Sequence, residues 1–337
     1  MNPGERRGTA TAAGASRVSI AMATCNGEDW VEAQLASFVE QDRRPDELVV
    51  LDDASDDATL ERVRAFAAEA PFPVQVESRS ERVGATSNFA DAIARCQGDL
   101  VFLADQDDVW LPEKIATLAA VLDQRSGVGA VFCNGTVVDG DGRPLGYDLW
   151  QALGFGPREQ RAVMSGRAHE VFARHVVAAG TGLAFRRQFV PWLEPFPTLR
   201  SAHDAWVAAL IAGVAEVACV ERPLIHYRLH GANQIGLRRF DLRDQFQQAK
   251  RQLETGALEY AVAFFDEACQ RLASAEEPIR PGALEAYQRK LAHARWRCDL
   301  PDGRLARAPG VAIEAMRGGY RRYGYGWKSA AQDLLLR

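Results

Sequence analysis

A chain of 337 residues can bury one large core or two smaller ones, and 47% hydrophobic with 25% charged residues are the proportions of an ordinary globular protein. A net charge of −5 argues against a nucleic-acid partner. The six cysteines are scattered, with no C-x-x-C pair and no zinc-finger spacing, which predicts free thiols and a cytoplasmic location.

Residues 1–16 are rich in Gly, Ala, Thr and Arg and lack the apolar stretch of a signal peptide, so a disordered leader is expected. Val18 to Met22 is a short apolar run that predicts a first strand. It runs into Thr24, Cys25, Asn26 and Gly27, a loop of turn formers. Glu28 and Asp29 then suit the opening of a helix, with Val31, Leu35 and Phe38 as its apolar stripe. Leu48 to Leu51 predicts a second strand that ends at Asp52 and Asp53, and Leu60, Val63 and Phe66 mark the next helix. Val74 to Glu77 predicts a third strand, and Phe89, Ile93 and Cys96 a helix after Gly84. Leu100 to Ala104 predicts a fourth strand, followed by a helix over 113–125. Alternation of this kind implies a Rossmann-like, mostly parallel sheet flanked by helices. Ligands of such sheets bind beyond the carboxyl ends of the strands.

After Ala130 to Cys133 the alternation weakens. Val137 to Pro144 reads as a strand and a tight turn. Residues 145–168, with Gly146, Gly154, Gly156 and Pro157, read as a long loop, a candidate lid. Thr181 to Phe185 predicts a short strand, and Pro191, Pro195 and Pro197 exclude a long helix. His203 and Asp204 lead into an apolar helix ending near Gly213, and two strands are expected over 216–220 and 224–227. The most apolar window, Val207 to Val220, is interrupted by Glu216 and too short to span a bilayer. From Asp241 onward the composition turns helical, closing with a basic, aromatic segment over 317–328. That segment is either a peripheral membrane contact or a packed helix.

The chemistry concentrates at the predicted strand ends. Asp105, Asp107 and Asp108 repel one another unless something positive joins them, and a divalent cation carrying phosphate oxygens would serve; a solvated turn is the plainer alternative. With a bound nucleoside diphosphate, one of these carboxylates can hold the metal and another the ribose. Asp53 can accept from a ribose hydroxyl or a base N–H, while Ser55 and Asp56 suit a helix cap. Asp204 is either a cap or a general base for an acceptor hydroxyl. Arg228 can grip phosphate, and His230 can ligate a metal through neutral imidazole. Val109 and Trp110 are expected to pack beneath the acids.

The ordered set Thr24–Asn26, Asp52–Ser55, Gly84 with Asn88 and Phe89, Asp105–Trp110, His203–Trp206 and Tyr227–Asn233 resembles the family 2 glycosyltransferases of GT-A fold. It looks most like their bacterial rhamnosyltransferase-type, polysaccharide-assembling branch. The resemblance covers about residues 17–236, the expected catalytic domain, with residues 237–337 as a helical extension. It implies a nucleotide-sugar donor, either dTDP-rhamnose or a UDP-hexose. It also implies Mn2+ or Mg2+, a glycan or lipid-linked glycan acceptor, and inversion by a single displacement. Transferred residue by residue, it makes Asp204 the base, Asp107 a metal ligand with His230 beside it, and Asp53 the nucleobase contact. Asp105 falls near the ribose and Asp108 near the donor sugar. Thr24, Asn26, Asn88, Gln106, Trp206 and Arg228 fall within the motifs that surround the donor. His203 departs from the commoner acidic residue before the base. A nucleotidyltransferase would carry a basic, Gly-rich loop after the first strand, and Thr24–Gly27 has no Lys or Arg. A non-catalytic glycan-binding module would not need Asp107 and Asp204 together.

Overall fold

The computed structural model describes residues 15–175, 177–199, 203–230, 255–276 and 278–336. Most of the expected leader (1–14), Asn233 and the stretch from Asp241 to Glu254 lie outside the described residues.

Strands β1 (Val18–Thr24), β2 (Glu47–Asp52), β3 (Val74–Ser78) and β4 (Leu100–Ala104) alternate with helices α1 (Val31–Val39), α2 (Thr59–Glu69) and α3 (Ala85–Arg95). They pair in parallel in the order β3-β2-β1-β4. Next come β5 (Val109–Trp110), α4 (Lys114–Gln124), β6 (Val128–Val138), β7 (Pro144–Asp148), α5 (Leu149–Leu153), α6 (Pro157–Met164) and α7 (Ala168–Phe172). The chain continues through β8 (Leu183–Arg186), α8 (Val190–Leu193), α9 (His203–Val214) and β9 (Glu216–Arg228). The sheet carries on from β4 through β8, β6 and β9 to β5, with β7 paired on β6. β8 is antiparallel to both of its neighbours, and β9 is parallel to β6.

Both faces of the sheet are covered, which is why its strands are apolar at successive positions rather than at alternate ones. Period-two geometry sends Ala21, Val49, Leu51, Val101 and Leu103 to one face, packed with α3 and α9. Ile20, Met22, Leu48, Val50 and Phe102 go to the other, packed with α1, α2 and α4.

The sheet also curls. Four residues, Asp105–Asp108, join β4 to β5, although β8, β6 and β9 lie between them in sheet order. A flat sheet would set β4 and β5 about 19 Å apart, more than five Cα steps reach at about 3.5 Å each. The Trp110 ring accordingly sits 6.2 Å from Phe102 of β4 and 4.7 Å from Phe38 of α1. The curl brings the far sheet edge back over the β4 terminus.

Two sequence expectations are corrected. The stretch 145–168 is not a long loop: β7, α5, α6 and the start of α7 fill it. Asp148 caps α5 in a reciprocal capping box with Gln151, and Gly154 ends α5 in the left-handed region (φ 72°). Pro157 occupies the first turn of α6. Gly154, Gly156 and Pro157 are therefore helix punctuation, whereas Gly146 lies within β7. The two strands expected over 216–227 form one continuous β9, whose register against β6 shifts between Val220 and Pro223. A bulge there accommodates Pro223, which has no N–H to donate.

Helices α10 (Ala257–Ala273), α11 (Ala283–Cys298), α12 (Arg304–Arg317), α13 (Gly319–Tyr323) and α14 (Trp327–Leu335) complete the described chain. Phe264, Phe265, Leu272, Tyr287 and Leu291 enter the same core as α9. The Tyr287 hydroxyl donates to the Ala209 carbonyl at 2.7 Å. No described helix is long and apolar enough to cross a membrane.

Candidate active site

The carboxyl ends of β1, β2 and β4 meet as the alternation predicts. Asp52, fully buried, accepts from Thr24 Oγ1 (2.9 Å), Ser55 N (2.9 Å) and Ser55 Oγ (2.5 Å), and so ties the ends of β1 and β2. Asp53 accepts from Val83 N (2.7 Å) and Gly84 N (2.8 Å), one on each carboxylate oxygen. It anchors the loop that opens α3. Asn26, in the left-handed region at φ 49°, exchanges hydrogen bonds with Asp56 through both ends of its amide. Gln106 clamps the first loop: its Oε1 accepts from Cys25 N (2.8 Å) and its Nε2 donates to Cys25 O (2.9 Å). Gly27 lies so close to this amide that a Cβ would collide with it.

Asp105 and Asp108 are pushed above the usual carboxylate range by burial first and then by their acidic neighbours, Asp107 in both cases. Asp204, at the start of α9, adds to the rise at Asp105 and so belongs to the same electrostatic neighbourhood. Asp108 Oδ1 accepts from Arg228 N at 2.9 Å, and the Thr181 hydroxyl lies beside its carboxylate. Asp107 Oδ2 lies 2.8 Å from His230 Nε2, and the imidazole stacks on Trp30 at 3.8 Å. Asp204 Oδ1 accepts from Ala205 N at 2.7 Å.

Beneath the acids lies Lys114, wholly buried. Its Nζ sits 3.1 Å over the Trp110 ring and donates to the Thr181 carbonyl at 2.6 Å. Burial draws its pKa down to about 7, against the pull of Cys133, Asp108 and Asp105. Thr181 is the hub of this arrangement, because its backbone also holds Asp105. His203, next to Asp204, stacks on Phe89 at 3.9 Å, and neither of its buried ring nitrogens has a hydrogen-bond partner. Burial lowers its pKa below the ordinary range, so the ring is neutral.

The structure thus brings together Asp105, Asp107, Asp108, Asp204 and His230 and brackets them with Gln106 and Arg228. Trp206, Asn88 and Thr24, also named from the sequence, commit their polar groups elsewhere. Trp206 is a core residue: its ring is fully buried against Phe264, and its Nε1 donates to the Leu193 carbonyl at 2.9 Å. Asn88 is buried, bonded to Leu51 O and Arg79 Nε. Thr24 spends its hydroxyl on Asp52. Arg228 donates through Nε to Asp107 O and through Nη1 to Gly140 O, so it braces the acid loop from behind. Trp30, Lys114 and Thr181 were not found from sequence. Only Lys114 left a trace there, as a cation one turn beyond Trp110.

A parallel four-stranded half, a mixed continuation and an acidic loop at the end of β4 make up the GT-A fold of glycosyltransferases. Residues 19–190 match the family described as glycosyl transferase family 2, and the chain belongs to that family of enzymes. An uncharacterized glycosyltransferase of Nostoc sp. is 22% identical over 227 residues, which is 64% of this chain and 66% of that protein. An uncharacterized protein of Mycobacterium tuberculosis is 26% identical over 215 residues, 63% of this chain and 59% of its own length. The dTDP-rhamnosyl transferase RfbG of Shigella flexneri is 36% identical over 98 residues, 28% of this chain and 34% of that protein. The chain therefore spans two thirds or less of these relatives. Two solved structures share the fold. S. aureus TarS in complex with UDP-GlcNAc has a TM-score of 0.58 at 14% identity, covering 94% of this chain and 90% of that one. The mannosyltransferase PcManGT from Pyrobaculum calidifontis, in complex with GDP-Man and Mn2+, has a TM-score of 0.52 at 22% identity, covering 95% and 85%.

Proposed function

We propose that this glycosyltransferase works by inversion, moving a sugar from a nucleoside-diphosphate donor to a hydroxyl of a glycan or lipid-linked glycan. The observation that carries this reading is that Asp204 shares one charge environment with the β4-end acids, although it comes from a distant segment. The similarity to RfbG supports dTDP-rhamnose as the leading donor, with UDP-hexoses next.

The donor set suits a divalent cation. Asp107 and His230 offer a carboxylate and an imidazole in contact, a pair compatible with Mn2+, with Mg2+ favouring the oxygens; diphosphate and water would supply the remaining positions. Among the described residues no three His, Cys, Asp or Glu side chains form a ready-made cage. When bound, the cation would offset charge on the departing diphosphate.

The chain's own residues do the rest. Asp53 keeps a second lone pair on each oxygen for a base N–H while holding the Val83–Gly84 loop. Asp105 lies where a ribose would meet the end of β4. Asp108, with the Thr181 hydroxyl beside its carboxylate, is assigned to the donor-sugar side of the site. Asp204 Oδ2 makes no hydrogen bond among the described residues and can take the proton of the acceptor hydroxyl as that oxygen attacks the anomeric carbon. Attack opposite the leaving diphosphate inverts the centre. In this reading residues 17–236 hold the chemistry, residues 237–337 are a helical extension, and its described helices α10 and α11 pack against the core behind the site.

The test is NDP release from a panel of nucleotide sugars with Mn2+, Mg2+ or chelator. Asp204→Asn is expected to lose transfer by roughly a hundredfold or more, while a nucleotide still raises its melting temperature as in wild type. Wild-type turnover in that variant would remove the base assignment, and full activity in chelator would remove the cation.

A further inference from the structure

Helix α12 is built inside out. Two of its polar groups turn toward the molecule: Arg307 is buried and reaches the Leu334 carbonyl, and Glu314 lies 2.8 Å from the buried His293. Val311 is buried, but most of the helix's apolar groups turn toward water. Leu305 is 92% exposed and Met316 80%, and Pro309, Ala312 and Ile313 are exposed between them. These positions fall at i, i+4, i+7, i+8 and i+11, one stripe along the helix. An ordinary surface helix shows the opposite arrangement.

The stripe has neighbours of its own kind. Leu335, exposed, adjoins its start through the Arg304 bond to the Leu335 carbonyl at 3.1 Å. Tyr325 is exposed and Trp327 is 72% exposed just beyond α13. Of nine exposed large apolar side chains among the described residues, six fall between Leu305 and Leu335. Single exposures scattered over a surface need no account, but a concentration of this kind does.

The charge around the stripe names the occupant. From Arg304 to Lys328 six basic residues stand against one acid, the inward-turned Glu314, in a chain whose net charge is −5. Arg304, Arg317, Arg321, Arg322 and Lys328 are exposed. We propose that α12 and the turns leading into α14 form a docking face for an anionic lipid bilayer. The Leu305–Met316 stripe and Trp327 enter the boundary between headgroups and acyl chains, and the basic rim meets lipid phosphates. A second copy of the chain would bring two like-charged rims together, and a nucleic acid would leave the stripe unburied. The contact is peripheral and uses no residue of the active site, so it goes beyond the transfer reading and does not depend on it.

The test is co-sedimentation of the full chain with vesicles of phosphatidylcholine alone or mixed with phosphatidylglycerol. Binding is expected to the mixed vesicles and to weaken with salt. Leu305→Glu with Met316→Glu, and separately Arg321→Glu with Arg322→Glu, are each expected to weaken it on the order of tenfold or more. These side chains are exposed, so melting temperature and nucleotide binding should match wild type, which separates loss of docking from loss of folding. No binding, equal binding to neutral vesicles, or wild-type binding by both double variants would overturn the proposal. So would self-association, seen by sedimentation velocity, that Leu305→Glu with Met316→Glu abolishes while vesicle binding is unchanged.

Discussion

Asp105, Asp107 and Asp108 crowd three carboxylates into four residues, and two of them are held above their usual range by burial. The cation beneath them is Lys114, fixed between the Trp110 face and the Thr181 carbonyl. Replacing it by methionine keeps the volume and removes the charge and the donor. Lys114→Met is therefore expected to cost about 2 kcal/mol of stability, because it strands the buried Thr181 carbonyl. Urea unfolding measures this, and a wild-type midpoint would show that Lys114 only fills space. The acids themselves were legible in the sequence, because charged residues directly after a buried strand have few places to go. Lys114 was not. It follows Glu113 at the start of a helix, where a lysine is by default a solvated surface residue. Its burial depends on Thr181, which arrives from a segment that local pattern does not connect to it. Arg228 shows a second role that its charge alone did not suggest. Its charge suggested phosphate, and its Nε and Nη1 also hold Asp107 O and Gly140 O.

The alternating half of the sheet was readable element by element, because each strand and helix is a local pattern of apolar spacing. The curl that returns β5 to β4 was not, since it follows from sheet order, which depends on long-range pairing. The stretch 145–168 was misread for a different reason. Its helices are short, so a few glycines and one proline outweigh their apolar spacing, and the capping roles of Gly154 and Gly156 show only in the backbone conformation. This makes a prediction at the scale of the element. Asp148→Ala removes one half of the α5 capping box and is expected to cost about 1 kcal/mol of stability. Nucleotide affinity should be unchanged. Urea unfolding and nucleotide titration together check it: a changed affinity at unchanged stability would restore a lid function to this segment.

At the scale of the whole molecule, the C-terminal helices are built around a second buried polar cluster. Arg297 makes a two-pronged pair with the fully buried Asp333, through Nε at 2.7 Å and Nη2 at 2.8 Å, and the Tyr320 hydroxyl donates to the same carboxylate at 2.7 Å. Asp333→Ala is expected to destabilise the protein by about 3–5 kcal/mol, since it leaves a buried guanidinium unpaired. A thermal melt reports it, and a loss within about 0.5 kcal/mol would place the pair in solvent. Beside this pair lies His293, buried and close to Arg297 and Lys290. Burial first, and then those two cations, lower its pKa from 6.5 to about 3. Its contact with Glu314 is therefore that of a neutral ring, and not an ion pair, at neutral pH. The unfolded chain takes up a proton below 6.5, whereas the folded chain resists until about 3. Stability that is complete above 6.5 must then fall as the pH falls toward 3. Between neutrality and about pH 5 the loss from this one group is about 2 kcal/mol. His293→Phe keeps an aromatic ring against Tyr320 and removes the titration. Comparing urea midpoints of wild type and variant across that range isolates the contribution: wild type should lose stability that the variant keeps, and parallel curves would mean that the ring is protonated in the folded protein as readily as in the unfolded one.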